Sequence, residues 1–219
     1  MRATYIQSDI AFSSFNTVIT SSGADGSGKT TITKLLQLYF SRYGGVCVHW
    51  FRGSHLFVSV LARFLHRFRS FRGSCNPYYR ICVPEGLRRV WVFIEFVSVL
   101  PHLFVRFLLV RVCKVVVCDR GLLDFIVWLV ATLDSPWILN TLIGRFLLAL
   151  VSRENVVYLY ADVGTLAGRA DVPREFVAKE LAIYNVLARY FARCSIDTGR
   201  NGPVRVVSKV IKCIERQRR

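Results

Sequence analysis

The sequence is poor in negative charge. Its 219 residues hold 14 aspartates and glutamates against 30 lysines and arginines, a formal net charge of +16. Such a surface attracts polyanions: nucleotides, nucleic acid or anionic lipid. Also missing is any apolar run long enough to span a bilayer, which takes about 20 residues. Residues 90–112 are broken by Glu95, Pro101, His102, Arg106 and Arg111, and residues 121–151 by Asp124, Asp134, Pro136 and Arg145. Helices buried on a parallel sheet are therefore expected there, rather than a transmembrane segment. The start of the chain, residues 1–14, has no basic stretch leading into an apolar run, so no signal peptide is read and the region is treated as an N-terminal extension. The seven cysteines form no C-x-x-C pair, and several lie in apolar runs. They read as small buried hydrophobes of a reducing cytoplasm, with a Cys75–Cys82 bridge as the less favoured alternative. No internal repeat and no linker is visible, so residues 1–219 are taken as one domain.

What the chain does have is 53% hydrophobic residues, enough for a large core, and one sharp motif. Gly23-Ala24-Asp25-Gly26-Ser27-Gly28-Lys29-Thr30, followed by Thr31, fits G-x-x-x-x-G-K-[ST]. Clustered phosphate oxygens need many short donors at once. Backbone N–H groups can all turn inward only where side chains do not forbid the conformation, hence the glycines. Lys29 brings a cation to the β/γ-phosphates, and the Thr30 hydroxyl is suited to Mg²⁺. Lys29 is expected in a solvent-facing loop rather than the core. Ahead of the motif, residues 15–22 are strand-like. After it Ile32, Leu35, Leu36, Leu38 and Tyr39 recur at helical spacing up to Gly44-Gly45, so an anion would face a helix N-terminus.

The rest of the chain alternates in the same way. Strands are expected at residues 46–51, 114–118, 156–160 and 195–197, with helices at 56–68, 86–112, 122–133, 136–151, 173–193 and 203–216 and an irregular loop at 70–85. A bend is expected at Pro101. Strand–helix alternation implies a central parallel sheet, and ligands bind beyond the carboxyl ends of its strands. Arg52, Asp119 and Arg120 all fall on that rim, beside the glycine loop. Asp162 and Asp197 are read as turn and cap residues.

The motifs together resemble the thymidylate kinase family. The likeness rests on Gly23 to Thr31, on Cys118-Asp119-Arg120 as an Asp-Arg motif at a strand end, on Tyr158-Leu159-Tyr160-Ala161-Asp162-Val163 with Arg169, and on Ile196-Asp197-Thr198. It implies a three-layer P-loop NTPase fold, α/β, with a parallel sheet of about five strands and helices on both faces. It also implies a nucleoside monophosphate kinase that converts ATP and dTMP to ADP and dTDP with Mg²⁺. The phosphate-binding residues would be Gly23, Ala24, Asp25, Gly26, Ser27, Gly28, Lys29, Thr30 and Thr31. Lys29, Asp119, Arg120 and Arg174 would be catalytic, and Thr30 and Asp119 would hold the metal. Gly26 stands where one subclass carries a loop arginine; Arg174 or Arg169, from a lid over residues 163–175, would supply that charge. Tyr190 is matched to a tyrosine of the following helix.

Departures are plain. Phe51-Arg52-Gly53-Ser54-His55 stands where the family has Arg-Glu-Pro-Gly, and Gly121 replaces an aromatic. Arg88, Arg89 and Trp91 are the only candidates to read a base. A deoxynucleoside kinase or another P-loop phosphotransferase is therefore the alternative, followed by a non-catalytic nucleotide- or nucleic-acid-binding protein. Small nucleotides are the favoured partners; a homodimer is left open.

Overall fold

The computed structural model describes residues 17–51 and 57–216. Arg52, Gly53, Ser54 and His55 lie outside the described residues, as does the N-terminal extension. Strands β1 (Thr17–Ser22), β2 (Val46–Trp50), β4 (Val115–Asp119), β5 (Asn155–Tyr160) and β6 (Ala192–Asp197) form one sheet in the order β2-β4-β1-β5-β6. All its pairings are parallel. Between β2 and β4 a short strand, β3 (Arg72–Asn76), stands outside the sheet and makes antiparallel bridges to Ile81.

Alternation along the strands divides the core. Val115 and Val117 of β4 join Ile19, Val157 and Leu159 under helices α1 (Lys29–Ser41) and α8 (Pro203–Arg216). Val116 and Cys118 face the other way. That second face carries α2 (Phe57–Leu65), α3 (Arg88–Val112), α4 (Leu122–Leu133), α5 (Leu142–Val151) and α7 (Arg174–Phe191). The three-layer α/β arrangement with a five-stranded parallel sheet is the expected one.

Several local expectations need correction. Residues 136–151 split into a 3-10 turn, Pro136–Asn140, and α5, because the Thr141 side chain caps the new helix by accepting from the Gly144 N–H. Residues 70–85 hold β3 and a bridge between Cys75 and Cys82; a second bridge joins Cys47 of β2 to Cys113. Only Cys118, Cys194 and Cys213 are free thiols, so the picture of seven reduced cysteines fails. The long helix expected at residues 86–112 is present as α3, with Pro101 inside it.

The two apolar segments also part company. Helix α4 is buried along nearly its whole length, as expected. The region Glu85–Val112 is instead long and apolar enough to cross a bilayer by length and composition, and only 28% of its most apolar window is buried. Glu95 and Arg106, which broke the run in sequence, lie on its packed side with Trp91, Val92 and Val99, while Val90, Phe93, Leu100, Phe104 and Phe107 are exposed.

Candidate phosphate-transfer site

The site forms where β1 and β4 end side by side. Ser21 pairs with Asp119, and the Arg120 N–H extends the ladder to the Ser21 carbonyl at 3.1 Å. From β1 the chain enters the glycine loop, with Gly26 at φ 81° and Gly28 at φ 84°, both in the left-handed region that a Cβ disfavours. Gly28 caps α1, so the helix N-terminus follows directly on the loop.

Lys29 opens α1, but it is only 5% exposed. Its Nζ donates to the Gly23 carbonyl at 2.5 Å and the Ala24 carbonyl at 2.9 Å. The expectation of a solvent-facing lysine is therefore wrong: the ammonium is buried and donates to loop carbonyls. Burial and the nearby Arg120 charge lower its pKa, against the pull of Asp25, Asp124 and Glu180. Thr30 and Thr31, in the first turn, are exposed.

Arg120 adopts a positive φ of 71°, unusual for a non-glycine residue. Its guanidinium meets Asp25 Oδ1 at 2.5 Å. Among the described residues no hydrogen bond or ion pair joins it to the neighbouring Asp119. Burial opposes the Arg120 charge, but Asp25 and Asp124 outweigh this and raise its pKa. The Tyr78 hydroxyl donates to the other Asp25 oxygen. Burial alone would raise the Asp25 pKa; Arg120, Lys29 and Tyr78 together pull it down to about 2. Asp119 is 3% exposed, and its Oδ1 has no hydrogen-bond partner among the described residues.

A second ring of residues was not anticipated. Asp124, read in sequence only as a break in an apolar run, accepts from the Gly121 N–H at 2.9 Å and from the Tyr184 hydroxyl at 2.8 Å. Glu180 of α7 accepts from the Asp25 N–H at 3.1 Å. Burial and the Asp25 charge push its pKa up to about 7, against Lys29 and Arg120. Glu180 and Tyr184 stand four apart on the otherwise apolar inner face of α7, with Phe176, Val177 and Leu187. A charge on a buried helix face was the available signal. Tyr190, matched by resemblance, is 79% exposed, and the buried tyrosine is Tyr184.

The lid side also has its own assignment. A cavity of about 430 Å³ lies against Gly26, Ser27, Gly28 and Thr31, closed by Arg169 and residues 198–203. Arg174, exposed at the start of α7, is not among the residues lining it. A Cβ on Gly26 would run into the Leu166 carbonyl and crowd Arg169 Cβ at 3.2 Å. An arginine at position 26 would therefore not fit while helix α6 (Val163–Ala167) and the turn after it stay where they are. Gly121 has a similar reason: its Cβ would strike Thr20 Cγ2 and approach Glu154 Oε2 at 2.8 Å, so the family's aromatic has no room. Asp162 caps α6, accepting from the Thr165 N–H, and Asp197 accepts from the Gly199 and Arg200 N–H groups, both in the roles expected. Arg88 and Arg89 line a separate cavity with Trp137, while Trp91 is buried and bonded to Glu95.

Neither a family model nor a curated protein sequence matches the chain. Solved structures do. A thymidylate kinase from Ehrlichia chaffeensis is 18% identical with a TM-score of 0.58, covering 90% of this chain and 98% of its own. A shikimate kinase from Acinetobacter baumannii, in complex with shikimate, is also 18% identical, with a TM-score of 0.51, covering 94% of this chain and 97% of its own. The chain has the fold of the P-loop kinases.

Proposed function

We propose that the protein is an ATP-dependent phosphotransferase whose acceptor is a nucleoside monophosphate, with dTMP as the first candidate. The observation that carries this is the convergence of Lys29, the left-handed glycine loop and Arg120 at the paired ends of β1 and β4. Phosphoryl transfer asks mainly for positioning and for positive charge around the moving group. The γ-phosphoryl group would pass from ATP to the acceptor phosphate oxygen, leaving ADP and a diphosphate.

Binding of the triphosphate would draw Lys29 Nζ off the Gly23 and Ala24 carbonyls, since phosphate oxygens are the stronger acceptors. The cavity bounded by Arg169 and residues 198–203 is the natural space for the rest of the donor. Arg120, held by Asp25, would grip the acceptor phosphate. Magnesium fits the donor set: the exposed Thr30 hydroxyl and the unsatisfied Asp119 Oδ1 are hard oxygen ligands beside the loop. The ion would neutralise charge on the phosphates.

The second structural neighbour, with a small non-nucleotide ligand, keeps another P-loop phosphotransferase as the alternative reading. The altered acceptor segment at Phe51 to His55 favours giving it weight. The test is ATP consumption with a panel of nucleoside monophosphates, deoxynucleosides and shikimate. Turnover with dTMP supports the first reading. Turnover only with a nucleoside or with shikimate replaces it. No turnover with any acceptor, together with salt-dependent nucleic-acid affinity, points to a binding protein.

A further inference from the structure

Phosphate transfer leaves most of the positive charge and the outer face of α3 without a role. The side of α3 that carries Trp91, Val92 and Val99 packs on the domain, so the helix lies along the surface and does not stand clear of it. Its opposite side carries Val90, Phe93, Leu100, Phe104 and Phe107, spaced three, seven, four and three residues apart, which is one helical stripe. These five are exposed by 42–62%. Arg111 continues the stripe, its guanidinium 4.1 Å from the Phe107 ring centre. Helix α2, which packs on α3, adds exposed Val60 and Phe64 beside exposed Arg63, and the turn after it adds exposed Arg67 and Phe68.

Charge identifies what would cover this face. On this side of the sheet, residues 57–84 contain five arginines, Arg63, Arg67, Arg69, Arg72 and Arg80, all exposed, and no aspartate or glutamate. The acid within α3 is Glu95, which is buried, and Glu85, in the turn before it, is exposed and 3.6 Å from Arg88. Two copies meeting through this face would bring two arginine-rich surfaces together, at a Coulombic cost. Nucleic acid would satisfy the cations but not rows of exposed aliphatic and phenyl groups on a helix. A surface that offers apolar depth beneath a layer of negative headgroups matches both.

We infer that the α2–α3 face docks the protein peripherally on anionic lipid, with the stripe of Phe93, Phe104 and Phe107 entering the headgroup–acyl boundary and the arginines on the phosphates. Apolar contact and charge act together in such binding, and basic residues snorkel to the headgroups.

The test is co-sedimentation of the full chain with phosphatidylcholine vesicles, with and without phosphatidylserine, at low and high salt. Binding is expected only with phosphatidylserine and is expected to weaken with salt. Arg63→Gln and Arg67→Gln should each weaken it about fivefold, and Phe104→Asp should weaken it by about tenfold or more. Phe104→Trp, a conservative change, reads contact directly: brominated lipid should quench it more than the native protein. Failure to sediment with anionic vesicles overturns the inference. So does binding unchanged in the Phe104→Asp variant, or a dimer in solution that Phe104→Asp dissociates. Displacement of the vesicles by RNA without extra quenching of Phe104→Trp assigns the charge to nucleic acid and also overturns it.

Discussion

Arg120 and Asp25 form a 2.5 Å ion pair that ties the end of β4 to the phosphate-binding loop. The arginine side chain is 23% exposed and the aspartate 9%. The pair therefore orders the loop from outside it, while the guanidinium keeps one edge open to a ligand. Two aspects of the Asp-Arg motif separate here: Arg120 is held by Asp25, and Asp119 Oδ1 has no hydrogen-bond partner among the described residues.

Replacing Arg120 by Met should raise the acceptor constant by roughly ten- to a hundredfold, the worth of a charge-assisted phosphate contact. ATP binding, measured separately, should change much less. Because Asp25 loses its partner, stability should also fall by about 1–2 kcal/mol, discounted for the arginine's partial exposure. A double-mutant cycle with Asp25→Asn should recover part of that loss. Collapse of ATP affinity with normal acceptor binding would move Arg120 to the donor side.

Lys29→Ala should lower transfer by about a hundredfold or more, since it removes a preorganised cation from the moving group. The structure adds a second effect. The Gly23 and Ala24 carbonyls lose their buried donor, so the free protein should lose about 1 kcal/mol in denaturant unfolding. Rates within a few-fold of the native protein would refute the site.

Arg169 and Arg174 should behave differently. Arg169→Ala should reduce turnover by about tenfold or more, because this residue lines the cavity beside Gly26. Arg174→Ala should stay near the native rate. Gly26→Arg should fail to restore Arg169→Ala, since its Cβ meets the Leu166 carbonyl. Steady-state kinetics of the three variants decide; equal losses at Arg169 and Arg174 would return the charge to the lid as a whole.

Glu180 gives the free protein a pH dependence with a definite sign. Its folded pKa is about 7, above the ordinary value of 4.5. Between these values the folded state holds the proton more tightly than the unfolded state. The stability it contributes is full below pH about 4.5 and is lost as pH rises through about 7. Denaturant unfolding of the ligand-free protein should show a decline on the order of 3 kcal/mol across that window. Glu180→Gln should flatten it. An unchanged slope in the variant would show that another group carries the effect.

The sequence by itself determined the sheet and the loop. Alternating β-branched runs and amphipathic helices are local signals, and the glycine pattern at Gly23 to Thr31 follows from the backbone geometry a phosphate demands. Proline and threonine at helix starts are local too, yet Thr141 was missed inside the apolar run 136–151. What surrounds the loop was decided only by the fold. Asp25 meets Arg120 across 95 residues, Tyr78 across 53 and Glu180 across 155. No local periodicity encodes such contacts, because they exist only when distant elements pack and water is excluded from charges that must then pair. The same reason explains α3. Its composition reads as a buried helix, but whether a neighbour covers each face is a property of the assembled layers, and here the described residues leave one face open. The cysteines followed suit: Cys47 and Cys113 lie 66 residues apart and were brought to 5.9 Å between Cα atoms by β2 packing beside β4.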